Sequence, residues 1–259
     1  MSRLRFATPI ELWCVDLTVA APALHAIEHD TPRLSAEDRT RASSFSDATV
    51  RREWTATHIA LRLLIERWDG ARWRGVPYAV AERGKPHLPD APLSFSISHA
   101  RGIALIGVSR IGSIGVDIER IRNVRIGAPR RGRIEAAGAA LSADPLPSAE
   151  EGRFLQAWVR LEAYAKAEGC GIGRLLTRLG ILGSASAAWP AGQGAAGEIA
   201  PVSLLTEPGA GQPSGGPLSV RDLQLGEGLY AAVAACEGAA LGDIPWLPSD
   251  REALENLID

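Results

Sequence analysis

Two short acidic segments constrain this chain most, because each implies a local structure and places its charged side chains on one face. The first is IGVDIERI, which carries Asp117 and Glu119 in a β-branched run. Alternate side chains of a strand share a face, so both carboxylates are predicted to point the same way. The second is WVRLEAYAK, in which Glu162 and Lys166 lie four residues apart on a predicted helix and also share a face.

If this strand and this helix pack together, three carboxylates and an ammonium converge. Such a set can hold a hard divalent cation against a phosphate chain. Each segment alone also has an ordinary interpretation. An exposed Asp-x-Glu pair on an edge strand usually has no role, and a Glu–Lys pair at this spacing is a common contact on a helix surface. The functional prediction therefore depends on both segments occurring together with further features.

Composition excludes several classes of protein. The 259 residues can bury a good core, as one large domain or two small ones. Lys+Arg 28 against Asp+Glu 30 leaves no global charge for nucleic acid or membrane binding, so neither partner is expected. The odd number of well-separated cysteines (Cys14, Cys170 and Cys236) shows neither a disulfide framework nor zinc spacing. Glu11 and Asp16 interrupt the first apolar stretch. We therefore expect a cytoplasmic protein with no signal peptide and no membrane span.

The first part of the chain predicts helices followed by strands. Residues 10–20 alternate like an opening strand, and Ser35 begins a short helix with Asp38 three residues on. Residues 47–68 have the period of a longer helix, with Ile59, Leu63 and Leu64 on one apolar stripe. After the loop GKPHLPD come three strand-like runs, SFSISHA, GIALIGVS and SIGVDIERI. The last two are predicted to form a hairpin.

The second part begins with an irregular, arginine-rich stretch at 122–147. A helix follows, with Ser148 and Glu151 as a capping box and Gly169 as its end. Its predicted apolar stripe consists of Phe154, Trp158, Leu161 and Ala165. Residues 183–217 are rich in Gly, Ala, Pro and Ser and are expected to form a flexible insertion. SVRDLQLGEGLYAAVAAC predicts two antiparallel strands. The predicted division is an N-terminal half (1–110), a C-terminal half (111–245) and a tail (246–259) that ends in a short helix.

Ser98 and His99 resemble a nucleophile and its base, but adjacent strand residues point to opposite faces. They cannot form the hydrogen bond that such a pair needs. One of them can still face the same site as the carboxylates. A lone strand histidine is more often a structural hydrogen-bonding group than a ligand.

Four segments in a fixed order carry a resemblance to a known family. They are GKPHLPD, FSISHA, GVDIE and WVRLEAYAKAEG, within a region from about Ala36 to Gly173. This ordered set resembles the long, Sfp-type 4′-phosphopantetheinyl transferases. The resemblance implies an α/β (α+β) fold, a pseudo-dimer of two similar halves. Each half would be a small antiparallel sheet packed with a long helix, with coenzyme A bound in the cleft between the halves.

The resemblance also implies roles for individual residues. Asp117, Glu119 and Glu162 would be the magnesium ligands. Glu162, Lys166 and His99 would form the catalytic set, with Lys166 beside the phosphates.

The coenzyme A contacts would come from Lys85, His99 and Lys166, with Ser98, Arg41 and Arg52 holding the phosphates or the nucleotide end. The chain departs from the family pattern at Leu161, where many members have a lysine directly before the helix glutamate. Arg160 is its neighbour but faces a different direction on the helix.

The implied activity is that of a holo-[acyl-carrier-protein] synthase type transferase. A serine of an apo acyl or peptidyl carrier protein would attack the pyrophosphate of coenzyme A, with magnesium bridging the phosphates and 3′,5′-ADP leaving. The enzyme is expected to be a monomer. Two alternatives stay open: a metal-dependent nucleotide or pyrophosphate hydrolase, which could use the same three acids, and a coenzyme A-binding protein without catalysis.

Overall fold

A computed structural model of the chain describes residues 8–82, 84–182 and 216–258. The insertion predicted at 183–217 lies outside these described residues, except for Gly216 and Pro217. The chain divides into two compact units. The first unit contains the residues up to Val80, Pro86–Ile111 and the residues from Ala239 onward, and the second contains Ala81–Lys85 and Gly112–Gly238.

The first unit packs helices on a three-stranded antiparallel sheet of order β1–β5–β4. Its elements are β1 (Ile10–Asp16), α1 (Leu17–Asp30), α2 (Ala36–Ser43), α3 (Ala48–Asp69), a 3₁₀ turn (Ala71–Trp73), β2 (Ala79–Val80), β3 (Pro86–His87), β4 (Ser94–Ala100), β5 (Ile103–Ser109) and α7 (Arg251–Ile258). The two-residue strands β2 and β3 pair with each other. The helix predicted in the tail is therefore present, as α7.

The long helix α3 begins because the Asp47 carboxylate accepts hydrogen bonds from the backbone N–H groups of Thr49 and Val50. Its predicted apolar stripe is confirmed, since Ile59 and Leu63 are fully buried in the core of this unit. The capping box predicted at the start of α2 is also present.

The second unit has the sheet order β6–β8–β7. Its elements are β6 (Ile114–Arg120), α4 (Ala128–Ala139), α5 (Glu150–Glu168), α6 (Ile172–Arg178), β7 (Leu218–Leu223) and β8 (Leu229–Cys236). The two strands predicted from SVRDLQLGEGLYAAVAAC are β7 and β8, which pair antiparallel. Helix α5 ends at Gly169, whose φ of 73° is a left-handed conformation that glycine adopts without strain.

The backbones of α5 and β6 approach each other closely. A Cβ atom on Gly115 would lie 2.0 Å from the backbone oxygen of Ala163 and 2.4 Å from the backbone nitrogen of Ala167. Only a residue without a side chain fits there. On the helix, Leu161 is fully buried in the core of this unit, as its place in the apolar stripe predicted.

Both units use the same strand order, since the last strand of each lies in the middle of its sheet. β5 lies between β1 and β4, and β8 lies between β6 and β7. The predicted α+β class with small antiparallel sheets and long helices is confirmed. Across the parts of the chain that the structure describes, no helix combines the length and the apolar composition that crossing a membrane needs.

Four local predictions are wrong. β5 and β6 do not form a hairpin, because β1 and β4 already occupy both edges of β5, and β6 pairs with β8. The opening strand stops at Asp16, whose carboxylate caps α1. The stretch predicted to be irregular contains α4. Ser148 is not a cap, since the N-cap of α5 is Ala149 and it makes no side-chain hydrogen bond.

Candidate active site

Strand β6 and helix α5 bring Asp117 and Lys166 into direct contact. The Lys166 Nζ donates to Asp117 Oδ1 at 2.7 Å and to the backbone oxygen of Val116 at 3.1 Å. Asp117 is buried and the Lys166 side chain is 30% exposed. The lysine that shares a helix face with Glu162 therefore forms its ion pair with the strand carboxylate. Strand and helix do pack together, which is the condition under which the acidic segments can form one site.

Glu162 lies in the same electrostatic environment. Burial raises the pKa of this carboxyl above its usual value, the charges of Asp117 and Glu119 raise it further, and Lys166 opposes the shift. All four predicted charged groups of β6 and α5 therefore interact. A glutamate with a raised pKa is a better proton acceptor than an ordinary surface carboxylate.

Glu119 lies at the rim of this cluster, where both of its oxygens accept hydrogen bonds from the Arg122 guanidinium, at 2.9 and 3.2 Å. Asp117 accepts from Lys166. Two of the three predicted metal ligands are thus neutralised by side-chain cations. Within residues 8–82, 84–182 and 216–258, no group of three or more His, Cys, Asp or Glu side chains is arranged to hold a metal ion.

The donor set nevertheless fits magnesium chemically. Carboxylate oxygens are the ligands that hard divalent cations prefer, and such cations are commonly held by one or two carboxylates together with substrate phosphates. Besides burial, the charges of Asp117 and Glu119 raise the pKa of Glu162, so the three carboxylates are close enough to interact. A cation would take the place of the ammonium and guanidinium groups that now balance these acids.

Lys85 connects the same strand and helix at their ends. Its Nζ donates to the backbone oxygen of Ile114 at 2.8 Å, at the start of β6, and to that of Ala167 at 3.5 Å, near the end of α5. Its stem lies beside Gly169, the cap of α5, where an added Cβ would be 3.5 Å from the Lys85 stem. Burial lowers the pKa of the Lys85 ammonium to about 8. Lys85 therefore links the start of β6 to the end of α5.

The sequence contains two lysines, Lys85 and Lys166; all its other Lys+Arg residues are arginine. Both donate to backbone oxygens of β6. An ammonium is a compact charge on a flexible stem that exchanges partners more easily than a planar guanidinium. This placement marks the contact between β6 and α5 as the chemically distinctive part of the second unit.

The other predicted site residues lie in the first unit. Ser98 and His99 are neighbours on β4, opposite Leu105 and Ala104 of β5; Ser98 is half-buried and His99 is exposed. Arg41 is exposed in the last turn of α2, with its guanidinium 5.2 Å from the centre of the Phe45 ring.

Arg52 is exposed on α3 and lines a pocket of about 390 Å³. The other lining residues are Leu17, Thr18, Ala21, Pro22, His25 and Glu53. Burial and the charge of Arg52 both lower the pKa of His25, against a smaller opposite effect of Glu28. The pocket thus combines an apolar wall from α1 with the opposite charges of Arg52 and Glu53.

A polar network on α5 was not predicted from the sequence. The fully buried Arg160 donates from Nε and Nη2 to the two carboxylate oxygens of Asp222 on β7, at 2.7 and 2.6 Å. Gln156, one turn earlier, donates to Asp222 at 2.7 Å and to the backbone oxygen of Ala231 at 3.2 Å. The available signal was a charged residue within a largely apolar helix segment. Its partner 62 residues away could not be identified from spacing.

Comparison with known proteins supports the resemblance carried by the motifs. No protein-family model matches the chain. It is 28% identical over 179 residues to the 4′-phosphopantetheinyl transferase HetI of Nostoc sp., covering 64% of this chain and 71% of that protein. It is also 28% identical over 149 residues to the Synechocystis sp. protein slr0495, whose name assigns the same activity provisionally, covering 54% of this chain and 58% of that protein.

Proposed function

We propose that this chain is a 4′-phosphopantetheinyl transferase, as the names of the two relatives suggest, and that it transfers 4′-phosphopantetheine from coenzyme A to a serine of an apo acyl or peptidyl carrier protein. The observation that carries the proposal is the contact of Lys166 with Asp117 beside Glu162. Transfer of a phosphoryl-linked group needs a cation site, a mobile positive charge and a base close together. β6 and α5 supply side chains for all three.

The proposed reaction is a single displacement. The carrier serine oxygen forms a bond to the phosphorus that bears the pantetheine, and the bond from that phosphorus to 3′,5′-ADP breaks. Glu162 accepts the serine proton, directly or through a water, and Lys166 balances charge on the phosphate oxygens. Asp117, Glu119 and Glu162 are the residues that would hold a magnesium ion, which would supply positive charge against the charge developing on the phosphate oxygens. No covalent enzyme intermediate is required.

The proposal assigns nucleotide and phosphate contacts to Lys85, Ser98, His99, Arg41 and Arg52. The exposed guanidinium groups of Arg41 and Arg52 can bind phosphate oxygens. The Lys85 amine already donates hydrogen bonds to the backbone oxygens of Ile114 and Ala167, so a phosphate would have to share its donors or replace those bonds.

We also propose that the two units are the similar halves of a pseudo-dimeric fold. Their shared strand order supports this, as does the long helix that each unit carries, of 22 residues in α3 and 19 in α5. A monomeric state and a cytoplasmic location remain predictions from the sequence.

A carrier-modification assay tests the function. The enzyme is incubated with coenzyme A, magnesium and a panel of apo-carriers, and each carrier is weighed by mass spectrometry. The expected result is the addition of one phosphopantetheine per carrier and an equal amount of 3′,5′-ADP. Cleavage of coenzyme A with no modified carrier would establish the hydrolase instead. Binding of coenzyme A without any product would establish a binding protein.

Variants locate the chemistry. Glu162→Gln should lower the rate by about 10²–10⁴-fold, the usual contribution of a general base. Asp117→Asn should raise the magnesium concentration needed for half-maximal rate. Glu168→Gln is the matched control, because Glu168 is a buried α5 carboxylate that pairs with Arg178. A Glu162→Gln enzyme as active as this control would contradict the site assignment.

A further inference from the structure

A second charged contact joins α5 to the sheet of the second unit. Arg160 has no exposed surface, and both oxygens of Asp222 accept from it. Its remaining donors reach the backbone oxygens of Gly138 at 3.2 Å and Asp144 at 2.8 Å. Such a bidentate pair has a defined geometry as well as a charge. The contact therefore constrains the orientation of α5 on the sheet in addition to its burial.

The two carboxylates that α5 contacts lie in one row of the sheet. In the strand register, Ala232 of β8 is opposite both Asp117 of β6 and Asp222 of β7. Residues opposite each other in an antiparallel ladder share a face, so both carboxylates face α5. The helix reaches one with Arg160 and the other with Lys166. Six residues rise about 9 Å along a helix, close to the ~9.6 Å across two strand spacings.

The surface between β6 and α5 is closely packed. The sheet presents Gly115, Ala232 and Ala234 to α5, and the helix presents Ala163 and Ala167 at the point of closest approach. The larger Val220 of β7 belongs to the same core. A buried ion pair adds little net stability compared with apolar packing, but its geometry can fix a register. The charged contacts therefore add a directional constraint to this packing in setting the position of α5.

We propose that Arg160 and Asp222 form a positioning pair that holds α5 in place while Lys166 exchanges Asp117 for the phosphates of the substrate. This inference rests on the proposed function. When Lys166 leaves Asp117, α5 loses one of its two charged contacts with this row of the sheet. The contact at Asp222 stays in place because it does not involve the site. It keeps Glu162 in position during the exchange.

The test uses the fact that the chain has two lysines. An amine-acetylating reagent is applied to the full chain without ligands, and mass spectrometry follows Lys166, with the more buried Lys85 as an internal reference. In Asp222→Asn, Lys166 should react about tenfold faster than in the wild type, because the two contacts share one helix and residues that share a network are coupled. Arg160→Lys keeps the buried charge but loses the bidentate geometry, and it should act the same way; the lysine it adds is separated from Lys166 by fragment ions.

The control variant is Glu66→Gln. Glu66 is a buried carboxylate of the first unit that pairs with Arg33 and Arg74. It should lower the melting temperature and leave the Lys166 reactivity unchanged. If Asp222→Asn and Arg160→Lys also leave that reactivity unchanged, the pair only stabilises the fold and the proposal is wrong.

Kinetics supply the second readout, corrected for the folded fraction. In Asp222→Asn, kcat for carrier modification should fall about tenfold to a hundredfold, since a misplacement near 1 Å has effects of that size, while KM for coenzyme A changes less than about twofold. Asp222→Glu, which keeps the charge, should recover part of kcat. Equal kcat in Asp222→Asn and Glu66→Gln would overturn the positioning role. A wild-type enzyme that modifies no carrier would refute the proposed function alone, since the reactivity of Lys166 still tests the pair.

Discussion

Replacing Gly115 with alanine should displace the helix that carries the proposed site. A Cβ there would lie 2.0 Å from the Ala163 oxygen and 2.4 Å from the Ala167 nitrogen, where ordinary contacts begin near 3.4 Å. Both atoms belong to the α5 backbone, so no side-chain rotation can relieve the overlap. α5 and β6 must separate by roughly 1 Å, and overpacking of this kind costs about 1–3 kcal/mol of folding stability.

The same displacement should affect activity more than stability. Lys166 and Asp117 are 2.7 Å apart, and Asp117 lies two residues after Gly115 on β6. A retreat of α5 moves Lys166 and Glu162 together away from the strand carboxylates. Misplacement near 1 Å can cost about 10²-fold in rate. We therefore expect Gly115→Ala to be largely folded at 25 °C and to modify carriers at about one hundredth of the wild-type rate.

Urea denaturation gives the stability change, and the carrier-modification rate per folded molecule gives the activity. The matched control is Gly132→Ala, at an exposed position of α4 where a Cβ would contact nothing within 4 Å. That change should stabilise the protein by about 0.4–1 kcal/mol and leave the rate unchanged. If Gly115→Ala behaves like Gly132→Ala in both measurements, the close approach of β6 and α5 does not position the site.

Three further predictions concern α5 and its neighbours. Leu161→Ala should cost about 2–5 kcal/mol of stability, because the side chain is fully buried, and it should leave the affinity for coenzyme A little changed. Lys166→Ala should change stability little and lose most of the turnover. A stable but inactive Leu161→Ala protein would contradict the core assignment of Leu161. Glu162→Gln should raise the melting temperature at pH 7 but not at pH 4. Because the pKa of the Glu162 carboxyl is raised in the folded state, its protonated form stabilises the fold at low pH, and this contribution is lost as the pH rises through the folded-state pKa. An equal change in melting temperature at both pH values would contradict the raised pKa. The pKa of the Lys85 ammonium is lowered from 10.5 to about 8, so the stability of the wild type relative to Lys85→Met should rise as the pH increases from about 8 to 10.5. Parallel curves of stability against pH for the two proteins would refute the shift.

The parts of the site that were predictable have local signatures. The alternation in IGVDIERI and the helical spacing in WVRLEAYAK predicted β6 and α5 with their charged faces, and Asp117, Glu162 and Lys166 do interact. Gly169 ended the helix as predicted, because a left-handed cap depends on one residue type. The buried Leu161 followed from the apolar stripe. Each of these features is encoded within a few neighbouring residues, where side-chain periodicity and backbone preference act directly.

The pairing of distant segments was decided only by the tertiary structure. Turn composition suggested a hairpin of β5 and β6, but the strands that occupy both edges of β5 come from elsewhere in the chain. Lys166 could have paired with Glu162 on its own helix, yet packing placed Asp117 within 2.7 Å. The sequence by itself determined which groups this protein has for group-transfer chemistry and on which faces they lie. The contact partners of these groups depended on which surfaces pack together when the core forms. The hydrophobic effect that drives this packing is non-directional, so the whole fold determines which segments meet.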